Sequence, residues 1–322
     1  AFLTEMGFEG KIPSDHPNAR TEFAWMHALD ADHFNIKNFN NVINYEHVFI
    51  IIPKGEVFLN AVGVTLVNGV NPSSDLLTNP LVSVLKSNNC KKIHYIQEGP
   101  TWLFNDYNIV DQINFYNNLQ QFDTIYAHNN FDAKFYKGLL PNSTVKVMPT
   151  LLIEKLINNI NNPKENKVII GGNFARWYGG FQSYMVAQSF NLPIWAQDSH
   201  CKRPGEDQLP NLNHLQRLSW IDWMHALSTF KYAVHLMPTV AAGTFSLNCA
   251  YFGIPCIGNH NVDTQKICHP NLSVDVDDVE KARILANRLR DDIEFYNECS
   301  NQSKELYRKH YDISNYLKKI NL

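Results

Sequence analysis

Residues Tyr232–Gly258, YAVHLMPTVAAGTFSLNCAYFGIPCIG, read as strand, tight loop, short helix and second strand. Tyr232–Met237 is a β-rich apolar run that Pro238 ends. Ala241, Ala242 and Gly243 are small enough to let the backbone pass close to a neighbour. Thr244 is expected to cap a helix over Phe245–Phe252, which Gly253 and Pro255 close before Cys256–Ile257 starts the next strand. A glycine-bearing loop that opens a helix after a parallel strand leaves main-chain N–H groups unpaired, a fit for an anionic phosphate group. An ordinary βαβ crossover has the same text, so the rest of the chain has to decide.

Upstream, Lys167–Ile170 restarts a β/α alternation after a linker formed by Leu151–Ile160 and the polar stretch Asn158–Asn166. Its first turn, Gly171-Gly172-Asn173-Phe174-Ala175-Arg176-Trp177-Tyr178-Gly179-Gly180, leads into a helix over 181–190. Arg176 offers a planar fork of donors suited to phosphate. The glycine spacing is not GxGxxG, which argues against a dinucleotide cofactor. Pro193–Gln197 is the next strand, 199–213 reads as an exposed loop, and Trp220–Ser228 is a helix whose tryptophans pack inward. Downstream come Asn259, His260, Asp263 and Thr264 at another strand end, a short strand over 272–276, and an amphipathic helix over 279–290. Asp277 or Asp278 caps that helix, so the acidic run at 275–278 needs no metal. Residues 292–322 read as helical.

The first half shows the same alternation. Strands are expected at Ala1–Thr4, His33–Ile36, His47–Ile52, Lys92–Gln97, Thr124–Ala127 and Val145–Met148. Helices are expected at 21–29, 81–86, 110–119 and 131–139. The loop after the first strand carries Asp15, His16, Arg20 and Glu22, and loops at strand carboxyl ends are where ligands bind in such sheets. KIHYIQ ends in Glu98-Gly99-Pro100-Thr101-Trp102, a carboxylate at a strand end and a candidate general base. His128 stands at the end of the following strand. The pattern throughout is that of doubly wound parallel sheets.

A chain of 322 residues is long enough for two domains, each with its own core. Its 44% hydrophobic and 12% aromatic content fits a globular protein, with no apolar run long enough for a membrane span. No basic leader precedes Ala1–Leu3, which reads as a strand clipped at its start, so no signal peptide is expected. A net charge of −3 counts against a general nucleic-acid coat. The six cysteines form no CxxC pair and fit reduced, structural thiols in a cytoplasmic setting.

Two α/β halves joined near 150, with a helical C-terminus, resemble the GT-B architecture of nucleotide-sugar glycosyltransferases. The resemblance implies two Rossmann-like, doubly wound parallel-sheet domains facing across a cleft. Residues 1–150 would bind acceptor, 151–302 would bind nucleotide sugar, and 303–322 would cross back to the first domain. In many such enzymes the last donor-binding helix carries an acid for the ribose hydroxyls, shortly before a Gly-x-Pro turn. Gly253 and Pro255 keep that turn, while Asn248 stands where the acid would be, a neutral group that can still bond a hydroxyl. The Gly243–Thr244 amides would hold the donor diphosphate. VIIGGNFARWYGG also resembles the second-domain turn of the T-even phage DNA β-glucosyltransferases, which places Gly172, Asn173 and Arg176 at the donor phosphates. HYIQEG resembles the strand of that group ending in the catalytic aspartate, a role that maps onto Glu98.

The activity so implied moves a hexosyl or pentosyl group from a nucleotide sugar, a UDP-sugar first, to an acceptor hydroxyl. Glu98 or His16 would take the hydroxyl proton, with Asp15, Arg20, Trp102 and His128 on the acceptor side. The diphosphate would leave onto Arg176 and the Gly243 and Thr244 amides, so that no metal and no further cofactor are called for. The acceptors this leaves open are hydroxymethylated DNA bases, polysaccharide and other glycans. The Asn-, Ile- and Lys-rich text suits an AT-rich genome, and a phage-encoded chain would work in its host's cytoplasm. Two alternatives stand beside transfer: a non-hydrolysing sugar-nucleotide epimerase, and a nucleotide- or carbohydrate-binding module without catalysis.

Overall fold

The computed structural model describes residues 1–4, 8–13, 22–42, 44–52, 86, 92–97, 99–101, 109–174, 177–198 and 202–317. The chain divides into two compact units, Ala1–Pro13 with Trp25–Pro149, and Thr150–Leu322 with Ser14–Ala24.

In the first unit, β1 (Phe2–Thr4), β2 (His33–Asn35), β3 (His47–Ile51), β4 (Lys92–Ile96), β5 (Thr124–Ala127) and β6 (Val145–Val147) form one parallel sheet, ordered β2-β1-β3-β4-β5-β6. Helix α1 (Glu22–Ala28) lies between β1 and β2 in the chain, α2 (Ile109–Leu119) between β4 and β5, and α3 (Asn130–Leu139) between β5 and β6. Alternate strand residues point to opposite faces. On one face Ile50, Tyr95 and Ile125 meet Phe115 of α2 and Tyr136 of α3 in a single core. On the other, rings stack on each other: Phe49 on His94 at 4.7 Å between centroids, and His47 on His94 at 5.3 Å.

In the second unit, β7 (Glu165–Ile170), β8 (Ile194–Gln197), β9 (Leu212–Leu215), β10 (Phe230–His235), β11 (Cys256–Asn259) and β12 (Ser273–Val274) form a second parallel sheet, ordered β12-β11-β10-β7-β8-β9. Its helices are α4 (Gly180–Ala187), α5 (Trp220–Ser228), α6 (Thr244–Tyr251), α7 (Asp263–Cys268), α8 (Val279–Asp291), α9 (Ile293–His310) and α10 (Ile313–Leu317). Val168, Val234 and Ile257 pack with Tyr184 and Ala286 in its core. Trp220 and Trp223 are buried, and so are the free thiols of Cys249, Cys256, Cys268 and Cys299.

Several local expectations change. The linker expected over 151–166 is core at its start, because Leu151, Leu152, Ile153 and Ile157 are all buried, and its last residues already belong to β7. The loop expected over 199–213 ends in an edge strand, β9, whose Leu-Asn-His-Leu text is too polar to announce itself but pairs residue for residue with β8. Thr244 is the first helical residue of α6 rather than its cap; Gly243 holds the cap position. Helix α9 runs unbroken through position 303, and Ser303 and Tyr307 are buried where it packs on α6 and α7 of its own unit. The helix expected over 81–86 falls outside the described residues except for Lys86.

Candidate functional site

In the second sheet the chain leaves β7 toward β8 on one side and leaves β10 toward β11 on the other. Where strand order reverses in this way, the loops at the carboxyl ends diverge and leave a crevice, the usual ligand position in open α/β sheets. The described residues here are 171–174 and 177–179, ahead of α4, and 236–243, which open α6.

Both helices start from a glycine in the left-handed region, Gly179 (φ 66°) and Gly243 (φ 76°), and neither has a side-chain cap. Elsewhere α3, α5, α8 and α9 are capped by Asn129, Ser219, Asp278 and Asp292, whose side chains accept from first-turn N–H groups. Short α7 also lacks a side-chain cap. Among the described residues, therefore, no side chain caps the first turns of α4 and α6, and bare helix starts of this kind suit an anion. Glycine is required at both caps. A Cβ on Gly243 would sit 1.9 Å from Thr264 Oγ1, and one on Gly179 would sit 1.9 Å from Leu236 O.

A buried scaffold holds these caps in place. Thr264 Oγ1 lies 2.8 Å from Gly243 O and 2.7 Å from Ser246 Oγ, and His269 Nε2 donates to Ser246 O at 3.0 Å. Asn259 Nδ2 donates to Met237 O at 2.8 Å, while its Oδ1 accepts from Asn261 N at 3.0 Å. Thr150 Oγ1 is 3.3 Å from Thr244 Oγ1. His235 ends β10 with its ring against Gly171 and against Phe245, 5.0 Å between centroids. Burial pulls its pKa down to about 4, so the imidazole is neutral, and Nε2 has no partner among the described residues.

Gly172 (φ 73°) and Asn173 follow β7 at this crevice, and both are partly buried, as are Gly243 and Thr244. Asn248 is different. It is buried, and with its amide oriented to suit its neighbours Nδ2 donates to Thr244 O at 3.1 Å and Oδ1 accepts from Trp223 Nε1 at 3.2 Å. The side chain thus ties α5 to α6 from inside. Arg176, Glu98, His16, Asp15, Arg20 and Trp102 lie outside the described residues.

The carboxyl edge of the first sheet is built from side chains that the sequence reading left out. Asp132, in the first turn of α3, is buried and accepts from Gln97 Nε2 (2.8 Å), Asn129 Nδ2 (3.0 Å) and Thr101 Oγ1 (3.3 Å). Burial raises the pKa of its carboxyl, against the lowering by those three bonds. Gln97 also donates to Gly99 O at 2.5 Å and accepts from the main-chain N of buried His128 at 3.2 Å. Residues on both sides of position 98 are thereby fixed to α3. The signal in the sequence was the Asn129–Asp132 spacing of a helix cap with an acid in the first turn.

No family model matches the chain, and no curated protein of known function matches it. Its fold does match solved structures. The class is the GT-B type of α/β fold with two parallel sheets. Among the individual matches is an alpha-glucosyltransferase in complex with UDP-glucose and DNA containing an abasic site, with a TM-score of 0.64 and 12% identity over 99% of this chain and 96% of that one. Anabaena HepE, solved with UDP and glucose, matches with a TM-score of 0.61 and 8% identity over 99% and 98%. S. aureus TarM, solved with UDP and alpha-GlcNAc-glycerol, matches with a TM-score of 0.56 and 9% identity over 88% of this chain and 57% of that one. Among the described residues, no helix is long and apolar enough to cross a membrane.

Proposed function

We propose that this chain is a glycosyltransferase that takes a sugar from a UDP-sugar and attaches it to an acceptor hydroxyl. The observation that carries the reading is the pair of glycine-started, uncapped helices α4 and α6 at the switch point of the second sheet. The likeness in fold to proteins solved with UDP or UDP-glucose supports it. In this reading the second unit holds the donor and the first holds the acceptor. The acceptor O–H gives its proton to Glu98 as a new bond forms from its oxygen to the anomeric carbon. The bond from that carbon to the phosphate oxygen breaks, and the electron pair leaves with UDP. Charge grows on the diphosphate at that moment, and preorganised amides at Gly172, Asn173, Gly243 and Thr244, joined by Arg176, stabilise it where it develops. His16, Asp15, Arg20, Trp102 and His128 belong to the acceptor side in this reading. The acceptor class it favours is a hydroxymethylated base in DNA, because a matched structure holds DNA with an HMU base; glycans are the second class.

The test is UDP release from UDP-glucose with and without duplexes containing a hydroxymethylated base, and with glycan acceptors. Acceptor-dependent release supports transfer. A change in the donor sugar without acceptor points to an epimerase, and UDP binding without turnover points to a binding module. Arg176→Ala should weaken UDP binding strongly. Glu98→Gln should leave UDP binding intact and abolish turnover, and a near-normal rate in that variant removes the base assignment.

A further inference from the structure

The second unit has a cavity of about 450 Å³ at the amino edge of its sheet, at the other end of the strands from the crevice. Its walls come from residues leading into β7 (Asn162, Lys164), from Ser228 just before β10, from Phe252 just before β11, and from Lys304 and Arg308 on α9. Three cations, Lys164, Lys304 and Arg308, face it against one carboxylate, Glu154. That carboxylate is itself engaged, accepting from Tyr307 Oη at 2.8 Å, and burial raises its pKa toward the neutral form. Lys164 Nζ donates to Ser228 O at 2.8 Å and lies 5.9 Å from the Phe252 ring centre, so one of its three protons is committed and the cavity wall is partly aromatic. Gly253, left-handed at φ 62°, leaves room for the stem of Lys304, and Ser300 Oγ bonds Gly253 O at 2.6 Å, which docks α9 against this edge.

Like charges held together around a cavity repel one another unless a counter-charge joins them. Desolvation by the cavity wall, with the Lys304 charge adding to it, pulls Lys164 down to about 8. An anion placed between the three heads would reverse that, and a phosphate group, with oxygens enough for all of them, is the anion best matched to two lysines and an arginine. We propose that this cavity is a second ligand site, separate from the crevice, that binds a small phosphorylated anion. Free inorganic phosphate and a sugar monophosphate share that chemistry.

The experiment titrates the full chain, held in saturating UDP so that the crevice is occupied, with inorganic phosphate and separately with glucose 1-phosphate, followed by calorimetry and 31P NMR. Both lysine and arginine contributions are read with Lys304→Gln and Arg308→Gln, two variants on the outer helix, with melting curves to show that the fold is kept. Saturable binding that weakens by about tenfold or more in each variant, as expected for a lost charge-assisted bond, supports the site. Tighter binding of glucose 1-phosphate than of phosphate assigns the sugar ester as the ligand; equal binding assigns the free ion. The inference is overturned by no saturable binding of either probe, by unchanged affinity in both variants, or by displacement of the probe as UDP is raised. The variants should leave UDP affinity unchanged, so a failure of UDP to bind at all would count against the transferase reading and not against this site.

Discussion

The two sheets end differently at their carboxyl edges. In the first unit the edge is filled by side chains: Asn129 caps α3, and Asp132 gathers Gln97, Thr101 and Asn129 into a buried set of bonds. In the second unit the corresponding edge has Gly179 and Gly243 as helix caps, and among the described residues neither helix start has a side-chain cap. One edge uses its hydrogen bonds to hold the protein's own chain still. The other starts its two helices from glycine, with no side-chain cap. In the proposed reading the same fold supplies a fixed platform in one unit and an anion cradle in the other, by a change of cap residue.

The sharpest way to break this contrast is to put a side chain on the bare edge. Gly243→Val introduces a Cβ where Thr264 Oγ1 already stands and forces a branched residue to φ 76°. UDP affinity should fall by about 100-fold or more, roughly 3 kcal/mol, measured by calorimetry. If UDP binds this variant normally, the cradle is elsewhere. Asp132→Ala attacks the other edge. It removes the buried acceptor shared by Gln97, Thr101 and Asn129, a cost of about 3 kcal/mol in denaturant unfolding. UDP affinity should hold within about threefold while turnover falls by about tenfold or more, since the platform and not the cradle is loosened.

A pH series compares the units more gently. His94 in the first and His235 and His269 in the second are each pulled down to about 4 by burial. The folded protein keeps these rings neutral, whereas the unfolded chain takes protons near 6.5. Stability is therefore full above about pH 6.5 and declines as pH falls toward 4, by up to roughly 3 kcal/mol per ring. His94→Phe should flatten part of that decline, and an acid limb of unchanged slope would show that the ring is not held neutral. The smallest effect is expected at Asn248. Asn248→Ala removes the link between Trp223 and Thr244 and should cost about 1–2 kcal/mol of stability, with UDP affinity changed by less than about threefold. A loss beyond tenfold would support a ribose contact for Asn248.

Legibility in the sequence followed burial. The central strands could be read because both faces of the sheet are covered, so that VFII, TIYA and YAV stand out as apolar runs. β9 was missed because an edge strand needs only one covered face, and the 151–157 segment was missed because its apolar residues are irregularly spaced. At the site, the glycines and their loops were visible as text. The placing of Thr150, Thr264 and His269 beneath Gly243 was not, since those partners are 21 to 94 residues from the groups they touch.

What the amino-acid order determined by itself was the alternation of strands and helices and the glycine at each critical turn, because periodicity and left-handed backbone are local properties. What only the tertiary structure decided was which helix ends stay bare and whether a polar side chain faces a ligand or a neighbour. Asn248 and Asp132 show why: each looks like an accessible polar group in the text, and each is closed off by residues that pairing and packing bring in from elsewhere in its unit.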